Sequence, residues 1–244
     1  MYFSVADTSF FLNIVKPSNR QDIESKFVLK KYPRGQILYE YGDQGDTMYI
    51  VKSGSLKIYR TDDQYEIVLG HQFPGEAVGE LELFHHNPMR TASVATLEPS
   101  ELWMIRRSDM NILVTQYPEL MRKVIYILSE RLTQADRKIE YLAFLDARVR
   151  VANLLLDLCS NFGIQDDITW RINWKVTHQH FADMIGVTRE TVTKVINQFQ
   201  QDGWLYIEKR QFIITNLSMI QHMAGGNMTV HSERIWHSTH KYEL

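Results

Sequence analysis

The hydrophobic period of this chain changes once, near Pro118, and that change constrains the fold more than any other feature. From there Met121, Ile125, Leu128, Leu132, Ala135, Ile139 and Leu142 recur at alternating steps of four and three, with Arg122, Glu130, Arg131 and Lys138 between them. Three heptads with so narrow a seam describe a long helix that meets a partner helix. A helix lying on its own β-domain is the other arrangement open to it, but that needs a wider stripe. We therefore expect helix 117–146 to hold two copies of the chain together in parallel.

Upstream, from Phe27 to Arg107, the period is two. FVLKKYPRGQILYEYG, DTMYIVKSGSLKIYR, YEIVLGHQF and TASVATLEPSELWMI are short alternating runs divided by Gly, Pro and Asp, as in a β-sandwich or jelly roll. Downstream, DARVRVANLLLDLCSNFG reads as a second amphipathic helix and QDDITWRINWKV as a short β-connection. The 244 residues suffice for two modest domains, each with its own core. The expected division is a β-domain over 1–116, the long helix over 117–146, a compact domain over 147–216 and a tail over 217–244.

Within the third part, THQHFADMIGVTRETVTKVINQFQQDGWL carries two helices around a tight turn. Thr177 caps the first, whose apolar face is Phe181, Met184 and Ile185. Gly186 permits the turn. Thr188 caps the second, whose inward face is Val192, Val195, Ile196 and Phe199. This is a helix-turn-helix pattern. Outward on the second helix stand Arg189, Glu190, Thr193, Lys194 and Asn197, near the end that enters the major groove in such motifs. Arginine pairs bidentately with guanine, glutamate accepts from cytosine, and lysine reaches guanine or phosphate. WLYIEKRQFIITN adds two short strands around Lys209 and Arg210, a wing suited to the DNA backbone. From 171 to 216, six basic residues face four acidic ones, an excess of two. So mild a charge needs two copies on two half-sites to bind well.

Bulk composition removes other classes. Twenty-seven basic residues nearly balance 29 acidic ones, so net charge selects no partner. The lone cysteine, Cys159, sits in LLLDLCSNF and reads as a buried thiol; one cysteine forms no internal disulfide and holds no four-cysteine iron–sulfur cluster. MYFSVADTSFFLNIVKPSNR lacks the basic front and apolar run of a signal peptide, and no stretch is long enough to span a membrane. The expected location is cytoplasmic.

Taken together, GELELF with MRTAS, YLAFLDARVRVANLLLDL and GVTRETVTKV resemble, in order and spacing, the Crp/Fnr (catabolite activator, cyclic-AMP receptor) family of bacterial transcription regulators. The resemblance covers about residues 20–216. It implies an α+β chain: an N-terminal β-roll of the jelly-roll-like, cyclic-nucleotide-binding kind, a long dimerisation helix and a C-terminal winged helix-turn-helix domain. It implies no catalytic residues and no metal. Its partners would be double-stranded DNA, a second copy through helix 117–146 and RNA polymerase, with no membrane. A cyclic nucleotide such as cyclic AMP would be the effector, bound by Gly79, Glu80, Leu81, Arg90 and Thr91. Gly79 and Leu81 would offer backbone N–H groups, Glu80 would accept from the ribose, and Arg90 with Thr91 would take the phosphate oxygens. Arg189, Glu190 and Lys194 match base-reading positions for a TGTGA-like palindrome, with Thr188 and Thr193 beside them, and Thr177 and Gln179 match phosphate contacts.

This chain also departs from the family. Ala135 and Asp136 align where cyclic-AMP-responsive members place hydroxyl groups for the adenine, Lys194 stands where arginine is usual, and Glu82 replaces a small residue beside the expected phosphate. A Glu82 pointing inward would repel an anionic ligand. An effector-independent regulator with a vestigial pocket is therefore the alternative. Three further readings compete: haem sensing through His85 and His86, a metal-dependent cupin-like enzyme using His71, His85 and His86, and a cyclic-nucleotide-binding module that never touches DNA.

Overall fold

Alternating residues of a single strand, Thr47–Ser53, are buried on opposite faces, and the N-terminal unit is built around that fact. The computed structural model describes residues 4–63, 65–225, 234 and 236. Eight strands follow a short helix α1 (Arg20–Ser25): β1 (Val28–Tyr32), β2 (Ile37–Tyr39), β3 (Thr47–Ser53), β4 (Leu56–Thr61), β5 (Glu66–Gln72), β6 (Ala77–Val78), β7 (Ser93–Thr96) and β8 (Ser100–Arg106). They form two four-stranded sheets, ordered β1-β8-β3-β6 and β2-β7-β4-β5. On β3, Tyr49 and Val51 face a core shared with Leu56, Val94 and Leu102. Met48 and Ile50 face the other way, onto helices. Period-two alternation dictates that split.

Those helices include segments that local pattern did not announce. Phe10 and Phe11 of the N-terminal segment, with Ile23 of α1, are buried beside Met48, Ile50 and Ile105. Helix α2 (Glu80–Phe84) follows β6, and α3 (Arg107–Gln116) follows β8 and buries Met110 and Leu113 in the same core.

The long helix is α4 (Glu119–Phe144), 26 residues. Of the two arrangements open to the sequence, packing on the chain's own β-domain is seen on one face, while another face is left exposed. Leu120, Val124 and Ile127 are buried against the N-terminal unit's core. Ile125, Leu132 and Ile139, seven residues apart, remain 62%, 63% and 63% exposed, and Leu142 and Phe144 are exposed beyond them.

Two compact units result among the described residues, the first from 4–62 and 69–133, the second from 63–68 and from 134–225 with 234 and 236. In the second, Asp146 caps α5 (Ala147–Phe162) by accepting from the Val149 N–H at 2.9 Å. Then come β9 (Gly163–Asp166), β10 (Thr169–Ile172), α6 (His178–Ile185), α7 (Arg189–Gln201), β11 (Leu205–Glu208), β12 (Gln211–Ile214) and α8 (Leu217–Met223), with sheet order β11-β12-β10-β9. Cys159 is buried in this core, and burial pushes its thiol up to about 12.

At the start of the segment set apart as a tail, Asn216 caps α8 by accepting from the Met219 N–H at 3.2 Å, and Ile220 and Ala224 are buried with the α5 and α7 core residues. Of the rest of that tail, only Arg234 and Trp236 are among the described residues. Arg234 is buried, donating to Asp157 at 2.6 Å and to the Asn153 side chain at 3.0 Å. Asp157 accepts on the same oxygen from Arg137 of α4 at 2.8 Å.

Candidate functional site

Two places gather the residues singled out by sequence. The first lies where β6 turns into α2. Gly79 takes a left-handed conformation, φ 83°, as the N-cap of α2. A Cβ there would stand 2.7 Å from Arg90 Nη1 and 3.0 Å from the Thr47 carbonyl, so glycine is required both by backbone and by space. At Gly45 a Cβ would stand 2.8 Å from Arg90 Nε.

Arg90 is 2% exposed. It donates to the Thr47 carbonyl at 2.7 Å, the Thr47 hydroxyl at 3.1 Å and the Gly79 carbonyl at 3.4 Å, and its guanidinium lies 3.9 Å from the Tyr39 ring centroid. Its counter-ion is Glu82, whose Oε2 accepts from Arg90 Nη1 at 3.0 Å. Glu82 Oε1 accepts from the Thr91 backbone N–H at 3.1 Å and from its hydroxyl at 3.2 Å. Glu82 therefore points inward, the orientation expected to repel an anionic ligand, and there it serves as the counter-ion of Arg90. The donors that a cyclic phosphate would use are taken by the chain's own carboxylate. As arranged, these residues do not fit a free cyclic nucleotide.

Glu80, expected at a ribose hydroxyl, is fully buried and pairs with Arg131 of α4 at 2.5 Å. Arg131 also donates to the Ala77 carbonyl at 2.7 Å. Burial raises the Glu80 carboxyl above its ordinary range against the pull of Arg131. Glu80 Oε2 and Arg90 Nε are, among the described residues, buried polar atoms without a hydrogen-bond partner. The Leu81 side chain is 39% exposed. Sequence reasoning did not single out Tyr39, Gly45, Thr47, Arg107 or Arg131. Arg131 was visible only as a charge between seam positions, and the first three lie over 40 residues from Arg90 in sequence. Arg107 donates to the backbone carbonyls of Gly45, at 3.1 Å, and of Glu82, tying α2 to the β3 approach.

The second place is the helix-turn-helix. Thr177 accepts from the His180 N–H at 3.1 Å and caps α6; Gly186 turns the chain at φ 65°. Thr188 accepts from the Thr191 N–H at 3.2 Å and caps α7. Phe181, Val192, Ile196 and Phe199 are fully buried. Arg189, Glu190, Thr193, Lys194 and Asn197 share one face of α7. Arg189, Glu190 and Lys194 are exposed and project from it, whereas Thr193 donates to the Arg189 carbonyl at 2.9 Å and meets His178 Nδ1 at 3.0 Å. Thr188 and Thr193 thus commit their hydroxyls to the motif's own geometry. Gln179 is exposed but donates to Asp183 at 2.7 Å. Partial burial and the nearby Arg189 hold His178 below its ordinary range.

The wing joins β11 to β12 through Lys209 and Arg210, with φ 50° and 66°. A two-residue hairpin turn with both central residues left-handed is best filled by Asn-Gly. Here two basic side chains hold it. Lys209→Asn with Arg210→Gly is expected to raise stability by up to about 1–2 kcal/mol, since left-handed non-glycine residues are strained. The same variant is expected to weaken DNA binding and flatten its salt dependence by about one unit of slope for each phosphate it no longer neutralises. Urea unfolding and DNA titrations at several salt concentrations check both; an unchanged salt slope removes the wing from the interface.

Among the described residues no cluster of three or more His, Cys, Asp and Glu side chains is placed to hold a metal ion, and no helix is long and apolar enough to cross a membrane. His85 Nδ1 interacts with the Asn87 backbone at 3.1 Å, and the His85 and His86 rings stand 4.2 Å apart.

Comparison with known proteins follows the same division. The sequence pattern of the cyclic nucleotide-binding domain matches residues 29–117, and that of the Crp-like helix-turn-helix domain matches 149–223. The chain is 29% identical over 211 residues to the CRP-like cAMP-activated global transcriptional regulator of Mycobacterium tuberculosis, covering 86% of this chain and 94% of that one. It is 29% identical over 203 residues to the cyclic AMP receptor protein of Thermus thermophilus, covering 83% and 90%. The solved structure of the c-di-GMP responsive global regulator of Xanthomonas campestris superposes with a TM-score of 0.73 at 27% identity, covering 82% of this chain and 99% of that one.

Proposed function

Because the chain belongs to the Crp/Fnr family of transcription regulators, whose members here are regulators and not enzymes, we propose that it acts as a homodimer that reads a palindromic DNA site. The observation that carries this reading is the exposed face of α7, where Arg189, Glu190 and Lys194 project from a capped, well-buried helix. Thr177 and Gln179 at the start of α6 flank it on the phosphate side. The exposed stripe Ile125, Leu132 and Ile139 supports pairing of two α4 helices. Such a dimer would present two α7 helices about 34 Å apart, one turn of DNA, to a TGTGA-like half-site and its inverted copy. The output would pass to RNA polymerase.

Arg189→Ala or Glu190→Ala is expected to cost about 1–3 kcal/mol at the cognate site and to relax a single base position. Binding titrations on single-base variants of the palindrome, at one fixed salt concentration, measure this. Equal losses on every sequence would assign these side chains to phosphate, and no loss at all would leave the module without a DNA role.

The N-terminal unit matches the cyclic nucleotide-binding domain, and among the relatives named above one is cAMP-activated and another c-di-GMP responsive. Two forms of the reading differ in whether this chain takes an effector there. The inward Glu82 favours the effector-independent form over a switch thrown by cyclic AMP.

A further inference from the structure

We propose that Glu82 is a tethered anion occupying the phosphate seat of the cassette, so that the Glu82–Arg90 pair holds the N-terminal unit in one state and closes it to cyclic nucleotides. The proposal deepens the regulator reading and rests on it for its biological meaning.

A cyclic phosphodiester offers two free oxygens and one negative charge. The Glu82 carboxylate offers the same. Its Oε2 takes Arg90 Nη1 at 3.0 Å, and its Oε1 takes both donors of Thr91, at 3.1 and 3.2 Å. With Glu82 4% and Arg90 2% exposed, water does not screen the pair, and a second anion entering beside it would find Arg90 and Arg131 already neutralised by Glu82 and Glu80.

Arg90 has no room to swing toward another ligand. The Thr47 carbonyl and hydroxyl, the Gly79 carbonyl and the Tyr39 ring hold its plane, and Gly45 and Gly79 close on it from two sides. Any free phosphate must therefore displace Glu82. Glu82 resists because Arg107 holds its backbone carbonyl, so the carboxylate returns from a short, anchored tether. One donor of the seat is left over: Arg90 Nε is buried with no acceptor. A planar carboxylate, smaller than a tetrahedral phosphate, does not satisfy the whole guanidinium edge. The seat keeps the capacity for a larger anion once Glu82 is gone.

The test is equilibrium binding of 3′,5′-cyclic AMP, cyclic GMP and inorganic phosphate to the full chain, followed by calorimetry without DNA. Wild type is expected to show no saturable binding of either cyclic nucleotide up to about 1 mM, the effective-concentration scale of a short tether. Glu82→Ala and Glu82→Gln are expected to bind at least one of them about tenfold or more below that limit, and adding Arg90→Ala to either should abolish it. Wild-type binding as tight as that of the variants overturns the proposal. So does failure of both variants to bind while they melt with the cooperativity of wild type. Glu82→Gln keeps the side-chain volume and an acceptor for Thr91, so a folded variant remains even where Glu82→Ala exposes Arg90 to an empty seat. Because no DNA is present, this measurement and the base-substitution titrations fail independently.

Discussion

Leu132→Asp is expected to lower affinity for the palindrome by about two to four orders of magnitude, the avidity that two linked readers share and one reader lacks. Leu132 stands 63% exposed at the middle of the stripe formed with Ile125 and Ile139, while the buried face of α4 consists of Leu120, Val124 and Ile127. An aspartate at that seam position sets two carboxylates against each other across a parallel pair without touching the core of either copy. Sedimentation should show a monomer with the wild-type melting profile, and DNA titration should show the weaker binding. A variant that stays dimeric, or a monomer that binds the palindrome as tightly as wild type, removes the stripe from the interface.

The largest expected effect on stability is at Asp157. Its Oδ1 accepts from Arg137 and Arg234 at 2.8 and 2.6 Å, and Arg234 is 4% exposed. Asp157→Ala strips two guanidinium groups of their shared counter-ion, which should destabilise the C-terminal unit by about 3–5 kcal/mol. Arg234→Ala is expected to cost less, since Asp157 keeps Arg137. Urea unfolding followed by tryptophan emission reads both, because Trp236 lies beside Phe162 and Trp174. A destabilisation below about 1 kcal/mol for Asp157→Ala would place this cluster among screened surface pairs.

What sequence made legible is what local chemistry decides. Thr177 and Thr188 are read as caps because a hydroxyl before an apolar-periodic run has one common use, and both hydroxyls accept from the N–H three residues on. The long helix α4 and the β-rich N-terminal region follow from hydrophobic period alone. Tertiary choices were not visible. Phe10 and Phe11 lie in a segment without a repeating pattern, and only the sheet they cover explains their burial. Arg234 stands in a polar stretch, and the partner that buries it lies 77 residues earlier. Glu82 is the most instructive case. Sequence placed it beside the phosphate seat and made its effect on an anionic ligand depend on whether it points inward, because position gives proximity but not rotamer. With the side chain turned inward, the same charge becomes the counter-ion of Arg90.

Gly45 and Gly79 carry no functional group, yet they decide how tightly an anion can be held. Each leaves room beside the Arg90 guanidinium for a hydrogen atom and nothing larger. A methyl group at either place would push the arginine off the Thr47 carbonyl and away from Glu82 together. Mutational scans of this unit should therefore find two silent-looking backbone positions as intolerant as the charged residues they enclose, because a side chain at either displaces the same ion pair.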